Sequence, residues 1–242
     1  MKKLMDPFGH ALYDYYRGQR RSAIVERDDG YVEGDFGMRP YFDGFQDWPR
    51  HERRALGLAR GRVMDIGCGA GRVALYLQRQ GLDVLGIDVS PLALKVARLR
   101  GLRHTKLISL TRLTARLGCF DTLLMFGNNF GLFENPTRAR WLLRRFHRLT
   151  SAGGRIIAET LDPYKTTVSH HRAYQRRNRG RGRMSGQARI RVRYQRYATP
   201  YFDYLFVSKT ELVALLRGTG WRVRRYFDAP GPNYIAVLEK TP

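Results

Sequence analysis

The sequence predicts an α/β fold built on a doubly wound, mainly parallel sheet. Three observations predict it. Short apolar runs of buried-strand type, at 63–66, 84–87 and 120–126, alternate with segments of helical periodicity. The first run continues as VMDIGCGAGR (63–72), an acidic strand end followed by a turn with glycine at every second position. Glycine lets a backbone approach a ligand closely, and the helix that follows offers unpaired N–H groups. The second run ends in Asp88, 23 residues after Asp65, where ligands bind in open α/β sheets.

From the N-terminus, residues 1–59 form a cap segment. Asp6-Pro7 starts a helix with Phe8, Ala11, Leu12, Tyr15 and Tyr16 on one face and Gly18 at its end. Residues 22–33 read as a strand, an Asp-Gly turn and a second short strand. Tyr41, Phe42, Phe45 and Trp48 then cluster, either to cap a pocket or to pack a helix onto the sheet. Residues 52–59 make a helix leading into the main domain, 60–242.

That domain opens with the strand before the glycine turn and a helix carrying Ala74, Leu75 and Leu77. After the strand ending at Asp88, Ser90 is an N-cap and Pro91 the first helical residue. A third strand falls near 106–109 and a fourth at 120–126. Asn135-Pro136 opens a helix with Trp141, Leu142, Phe146 and Leu149, and Gly153-Gly154 turns the chain into a fifth strand, 155–160. Ser208 and Glu211 form a capping box for a helix that stops around Gly218. Residues 221–227 and 233–239 are two strands joined by the turn at 229–232.

The spacing of Gly67, Gly69 and Gly71 is G-x-G-x-G, not the G-x-G-x-x-G of dinucleotide sites. With Asp65 ahead of it and Asp88 behind, the motif resembles that of the class I S-adenosylmethionine (SAM)-dependent methyltransferases. The resemblance covers roughly residues 60–161, with a tail to about 240. It implies a Rossmann-like seven-stranded sheet closed by an antiparallel hairpin, and SAM as cofactor. Carried over by position, Asp65, Gly67, Cys68 and Gly69 line the methionine end, Asp88 holds the ribose hydroxyls and Val89 faces the adenine. Many relatives place an acid at the adenine edge. This chain has Ser109-Leu110 there, so Leu110 offers its backbone. Gly127 and Asn128 fall where the family lines the methyl-transfer site.

The 242 residues and 43% hydrophobic content suit one large domain with an appendage. No apolar stretch approaches the roughly 20 residues that span a membrane, and the first six residues lack the apolar run of a secretory signal. Two cysteines, Cys68 and Cys119, make no disulfide framework, so a reducing cytoplasm is the expected setting. No Cys/His cluster has zinc spacing, so no metal is expected. The formal charge of +23 attracts polyanions, although the excess is spread along the chain.

Residues 161–207 form an insertion, read as a basic β-arm or lid. Between Pro163 and Phe202 there is no Asp or Glu against 11 Lys and Arg. Gly180, Gly182 and Gly186 predict a flexible loop at its centre. Residues 188–194 alternate, giving a strand with an apolar face and an arginine face of Arg189, Arg191 and Arg193, and residues 201–207 can pair with it. The arm either lids a small-molecule substrate or grips RNA phosphates through those arginines. A third reading is a SAM- or nucleic-acid-binding protein without turnover. The chain lacks N-P-P-[FY], a placed nucleophilic cysteine and a Lys-Asp-Lys-Glu set, which points to direct displacement on the sulfonium methyl. His170 and His171 are candidate general bases, and Tyr164 and Asn128 are expected near the acceptor. The sequence leaves the oligomeric state open.

Overall fold

The computed structural model describes residues 5–241, with the backbone alone at 34–36; residues 1–4, on which the expectation of no secretory signal falls, lie outside it. In chain order it holds α1 (Pro7–Tyr16), β1 (Ala23–Arg27), β2 (Val32–Phe36), α2 (Arg50–Leu56), β3 (Arg62–Ile66) and α3 (Arg72–Arg79). Next come β4 (Asp83–Asp88), α4 (Pro91–Leu99), β5 (His104–Leu107), β6 (Phe120–Met125), α5 (Pro136–Leu149) and β7 (Thr150–Leu161). The chain ends with α6 (Ser169–Gly180), β8 (Gln187–Tyr194), β9 (Tyr197–Ala198), β10 (Phe202–Leu205), α7 (Lys209–Leu216), β11 (Trp221–Asp228) and β12 (Asn233–Lys240).

Seven strands form the main sheet in the order β11-β12-β7-β6-β3-β4-β5. The pairs from β7 through β5 are parallel, and β12 runs antiparallel to both β7 and β11. The strand order reverses at β3, so the crevice at its carboxyl end is the natural ligand site. Its central strands feed both faces. Met64, Leu123 and Ile156 join one core with α5 and α7, while Val63, Leu124 and Ile157 join another with α2 and α3. Burial on both faces is why these strands read as unbroken apolar runs.

A second, antiparallel sheet has the order β10-β8-β1-β2, with β9 beside β8. The N-terminal hairpin and the late arm therefore share one sheet. Val25 faces Val192 and Tyr204 faces Ala188 in register. A third core cluster, including Leu12, Ala23, Ala70, Val96 and Tyr194, ties α1 and this sheet to the glycine turn and α4. Asp6 caps α1 by accepting from Gly9 N–H, and it also accepts the Ser90 hydroxyl at 2.7 Å, which locks the cap segment onto the start of α4.

One expectation fails. The loop predicted around Gly180 is preceded by a full helix, α6. Its arginines leave no apolar stripe, so periodicity hides it. Polar bonds hold it instead: Asn178 donates to the carbonyls of Ser185 and Gln187, and buried Tyr174 donates to Asp28. β5 begins two residues earlier than expected and β7 five.

Candidate active site

The glycine turn sits at the carboxyl end of β3. Gly67, Gly69 and Gly71 all have positive φ, at 72°, 53° and 80°. At Gly67 the need for glycine is also steric, because a Cβ there would lie 2.6 Å from Asn129 Nδ2. That amide donates to the carbonyls of Ile66 and Gly67 at 3.0 and 3.1 Å, tying the loop after β6 to the loop after β3. Cys68 contributes backbone, its thiol being turned toward Gly86 and raised in pKa by burial.

Asp65 is 3% exposed, and burial pushes its carboxyl up to about 7. Such a group gains strongly from a cationic ligand. Asp88 accepts from Gly69 N–H at 3.0 Å and from Ser90 N–H at 2.9 Å, one bond on each oxygen. Burial raises its pKa too, with these amides opposing. Each oxygen keeps lone-pair capacity for a diol. Val89 and Leu107 stand 57% and 58% exposed at the strand ends, apolar surface open to a flat ring, while Leu110 is buried.

A cleft of about 430 Å³ opens over the turn. Asp65, Gly67, Cys68, Gly69 and Arg72 form its floor, and Phe8 and Tyr41 of the cap segment flank it. Ile190, Val192 and Tyr204 of the second sheet roof it, and Gly127 and Asn128 form its far wall. Asp88, Val89 and Leu110 are outside this lining, on the β4–β5 side. Arg72 is fixed by Glu52 at 2.7 Å and by the Trp48 ring at 4.5 Å. Phe45 and Trp48 pack on Tyr76 of α3, so of the four clustered aromatics only Tyr41 reaches the cleft.

A second chamber, about 400 Å³, adjoins the first. The two share Val25, Glu33, Asn128, Leu161, Ile190 and Phe206. Asn128 stands at the junction with φ 61°, its carbonyl accepting the Tyr204 hydroxyl at 2.7 Å. Its side-chain Oδ1 is buried and has no hydrogen-bond partner. Gly127 is held by Glu159, whose Oε2 accepts its N–H at 2.7 Å.

A family model described as a methyltransferase domain matches residues 63–154. The chain carries a class I SAM-dependent methyltransferase domain. A SAM-dependent methyltransferase from Bacteroides fragilis, solved with S-adenosyl-L-homocysteine, is 26% identical with a TM-score of 0.84, over 98% of this chain and 96% of that one. The ubiquinone biosynthesis O-methyltransferase of Xanthomonas oryzae pv. oryzae is 33% identical over 113 residues, 44% of this chain and 46% of that protein. That of Pseudomonas aeruginosa is 30% identical over 112 residues, 44% and 47%. The chain thus spans about half the length of the curated relatives it matches. A Burkholderia thailandensis 1,6-didemethyltoxoflavin-N1-methyltransferase shares the fold, with a TM-score of 0.53 at 19% identity over 100% of this chain and 93% of that one.

Around this methyltransferase domain the expected catalytic residues separate. His171 lines the second chamber, its Nδ1 3.2 Å from Thr166 Oγ1 and its ring edge-on to Tyr31. Burial, and then the Arg27 charge, lower its pKa, so the ring is neutral at pH 7. His170 is exposed and lines neither cavity. Tyr164 is half exposed and points away, its hydroxyl donating to Glu211 at 2.8 Å. The apolar face of β8, with Ala188 and Ile190, forms chamber wall. Its arginine face is paired: Arg191 and Arg193 reach Glu26 at 2.8 and 3.0 Å, and Arg189 lies 3.7 Å from Asp203. Sequence reasoning missed Tyr204, Glu159 and the roles of Arg72 and Asn129. Glu159 follows an apolar run much as Asp65 does, and that was its one signal.

Proposed function

We propose that this chain is a SAM-dependent methyltransferase that moves a methyl group by direct displacement to an oxygen or nitrogen of a small molecule. The observation that carries the reading is the pair of cavities meeting at Asn128. The 430 Å³ cleft suits the methionine end of the cofactor, with a buried carboxyl at Asp65 for its ammonium and a glycine floor for close approach, and Asp88 with exposed Val89, beside the cleft on the β4–β5 side, suits the nucleoside. Bound there, SAM supplies an electrophilic sulfonium methyl.

The chain's own residues supply alignment and proton handling. The free Oδ1 of Asn128 accepts a hydrogen bond from the O–H or N–H of the acceptor, which turns its lone pair toward the first cleft. Asn128 is kept in its left-handed conformation by Tyr204 from the roof, while Glu159 holds Gly127 from behind. His171, neutral at pH 7, takes the proton of an oxygen acceptor. Val25, Ile190 and Phe206 line both cavities and give the junction apolar walls beside Glu33.

A chamber of about 400 Å³ beside the first cleft suits a small acceptor better than an RNA strand, and carboxylate pairing of Arg189, Arg191 and Arg193 favours the lid reading of the arm. Two unpaired thiols suit work in a reducing cytoplasm. Among the described residues no helix is long and apolar enough to cross a membrane. The test is methyl transfer from isotope-labelled SAM into a cell extract separated into small-molecule, RNA and protein fractions. Label is expected in the small molecules; label confined to RNA or protein overturns the acceptor class.

A further inference from the structure

Behind the Gly127 loop lies a buried cluster that lines neither cavity. We infer that His51, Glu52 and Glu159 bind a divalent transition-metal cation of the Zn²⁺ or Mn²⁺ kind. His51 and Glu52 are adjacent on α2, and Glu159 lies near the carboxyl end of β7. The three offer one ligand atom each, all within 4.8 Å of one another, and are 9%, 7% and 3% exposed.

A second observation points to a ligand. His51 Nε2 is buried without a hydrogen-bond partner, 3.7 Å from Glu159 Oε1 and so beyond bonding distance. A buried ring nitrogen left unpaired costs stability. Charge points the same way. Two buried carboxylates face one guanidinium, Arg72, which pairs with Glu52 at 2.7 Å. A cation satisfies the imidazole lone pair and the surplus negative charge together.

The donor set of one nitrogen and two carboxylates suits Zn²⁺ or Mn²⁺ better than Mg²⁺. Tetrahedral zinc bonds of about 2.0–2.1 Å place donors about 3.4 Å apart, so the cluster, its ligand atoms now within 4.8 Å of one another, closes by up to about 1.4 Å on binding. Both carboxylates are braced from outside, Glu52 by Arg72 and Glu159 by Gly127 N–H, as metal-ligating carboxylates are. None of the three residues lines either cavity. The cation is therefore structural: it fixes the Gly127 loop from behind, and its binding stands apart from the proposed methyl transfer.

The experiment is calorimetric titration of the full chain with Zn²⁺, after dialysis against chelator and without cofactor or acceptor. One equivalent is expected. His51→Ala and Glu159→Gln should each weaken binding at least tenfold, and His104→Ala, on exposed β5, should not. No heat with the unaltered chain, or an unchanged Kd in His51→Ala, overturns the site. Should His51→Ala fail to fold, pulsed electron paramagnetic resonance of Mn²⁺ on the unaltered chain decides it. A directly bound ¹⁴N is expected, and a spectrum without nitrogen coupling overturns the assignment.

Discussion

In the main sheet Arg62 pairs with Asp83, 21 positions along the chain; in the roof sheet Val25 pairs with Val192, 167 positions along. The first sheet is wired locally, strand to helix to neighbouring strand. The second is joined into one sheet only when β1 meets β8. The family match at 63–154 falls wholly within the first. The contrast teaches where the family match ends: the proposed cofactor end is built from short-range parts inside it, and the proposed acceptor end from long-range parts outside it.

The comparison breaks most visibly at His171, which lines the second chamber and not the first and is proposed for the acceptor end alone. His171→Ala should lower kcat about 10²- to 10⁴-fold with an oxygen acceptor while leaving the Kd for SAM unchanged. An unaltered kcat would remove it as the base. Asp88 is proposed for the cofactor end alone. Asp88→Ala should weaken SAM binding more than tenfold, about 1.4 kcal/mol or more, with the circular dichroism spectrum retained; equal affinity would sink the assignment.

A smaller effect concerns pH. The Asp65 carboxyl sits at about 7 in the fold against 3.8 when unperturbed. The stability it adds is complete below 3.8 and is lost as pH rises through 7. The ammonium of a bound cofactor prefers the ionised form, so S-adenosylhomocysteine affinity should rise between pH 6 and pH 8. In Asp65→Asn both trends should flatten, in thermal melts and in calorimetry. Smallest is the double variant Arg191→Ser/Arg193→Ser. Glu26 already engages both side chains, so RNA retention should keep nearly the same salt dependence. A log–log slope reduced by about two would return the arm to nucleic-acid binding.

The same wiring explains what could be read from the sequence. Asp65, the three glycines and Asp88 lie within one β-α-β unit, so their spacing alone brings them together. The closing hairpin and the Ser208 capping box were equally local. The arm was legible as strands, through the alternation of 188–194, and so was β1, but their pairing was not, because nothing near residue 25 points to residue 192. Helix α6 escaped for a different reason, its stability coming from Asn178 and Tyr174 rather than an apolar stripe. Glu159 and Tyr204 act through backbone groups of a distant loop, which no pattern along the chain encodes.

The placement of β1 at the centre of the roof also bears on synthesis. A ribosome adding about 5–20 residues per second needs roughly 8–33 seconds to pass from residue 25 to its partner at 192. For that interval the β1–β2 hairpin has an unpaired edge in the crowded cell, where strand edges recruit other chains. Glu26, left without its arginines until then, puts a bare negative charge on that nascent edge and guards it against premature pairing.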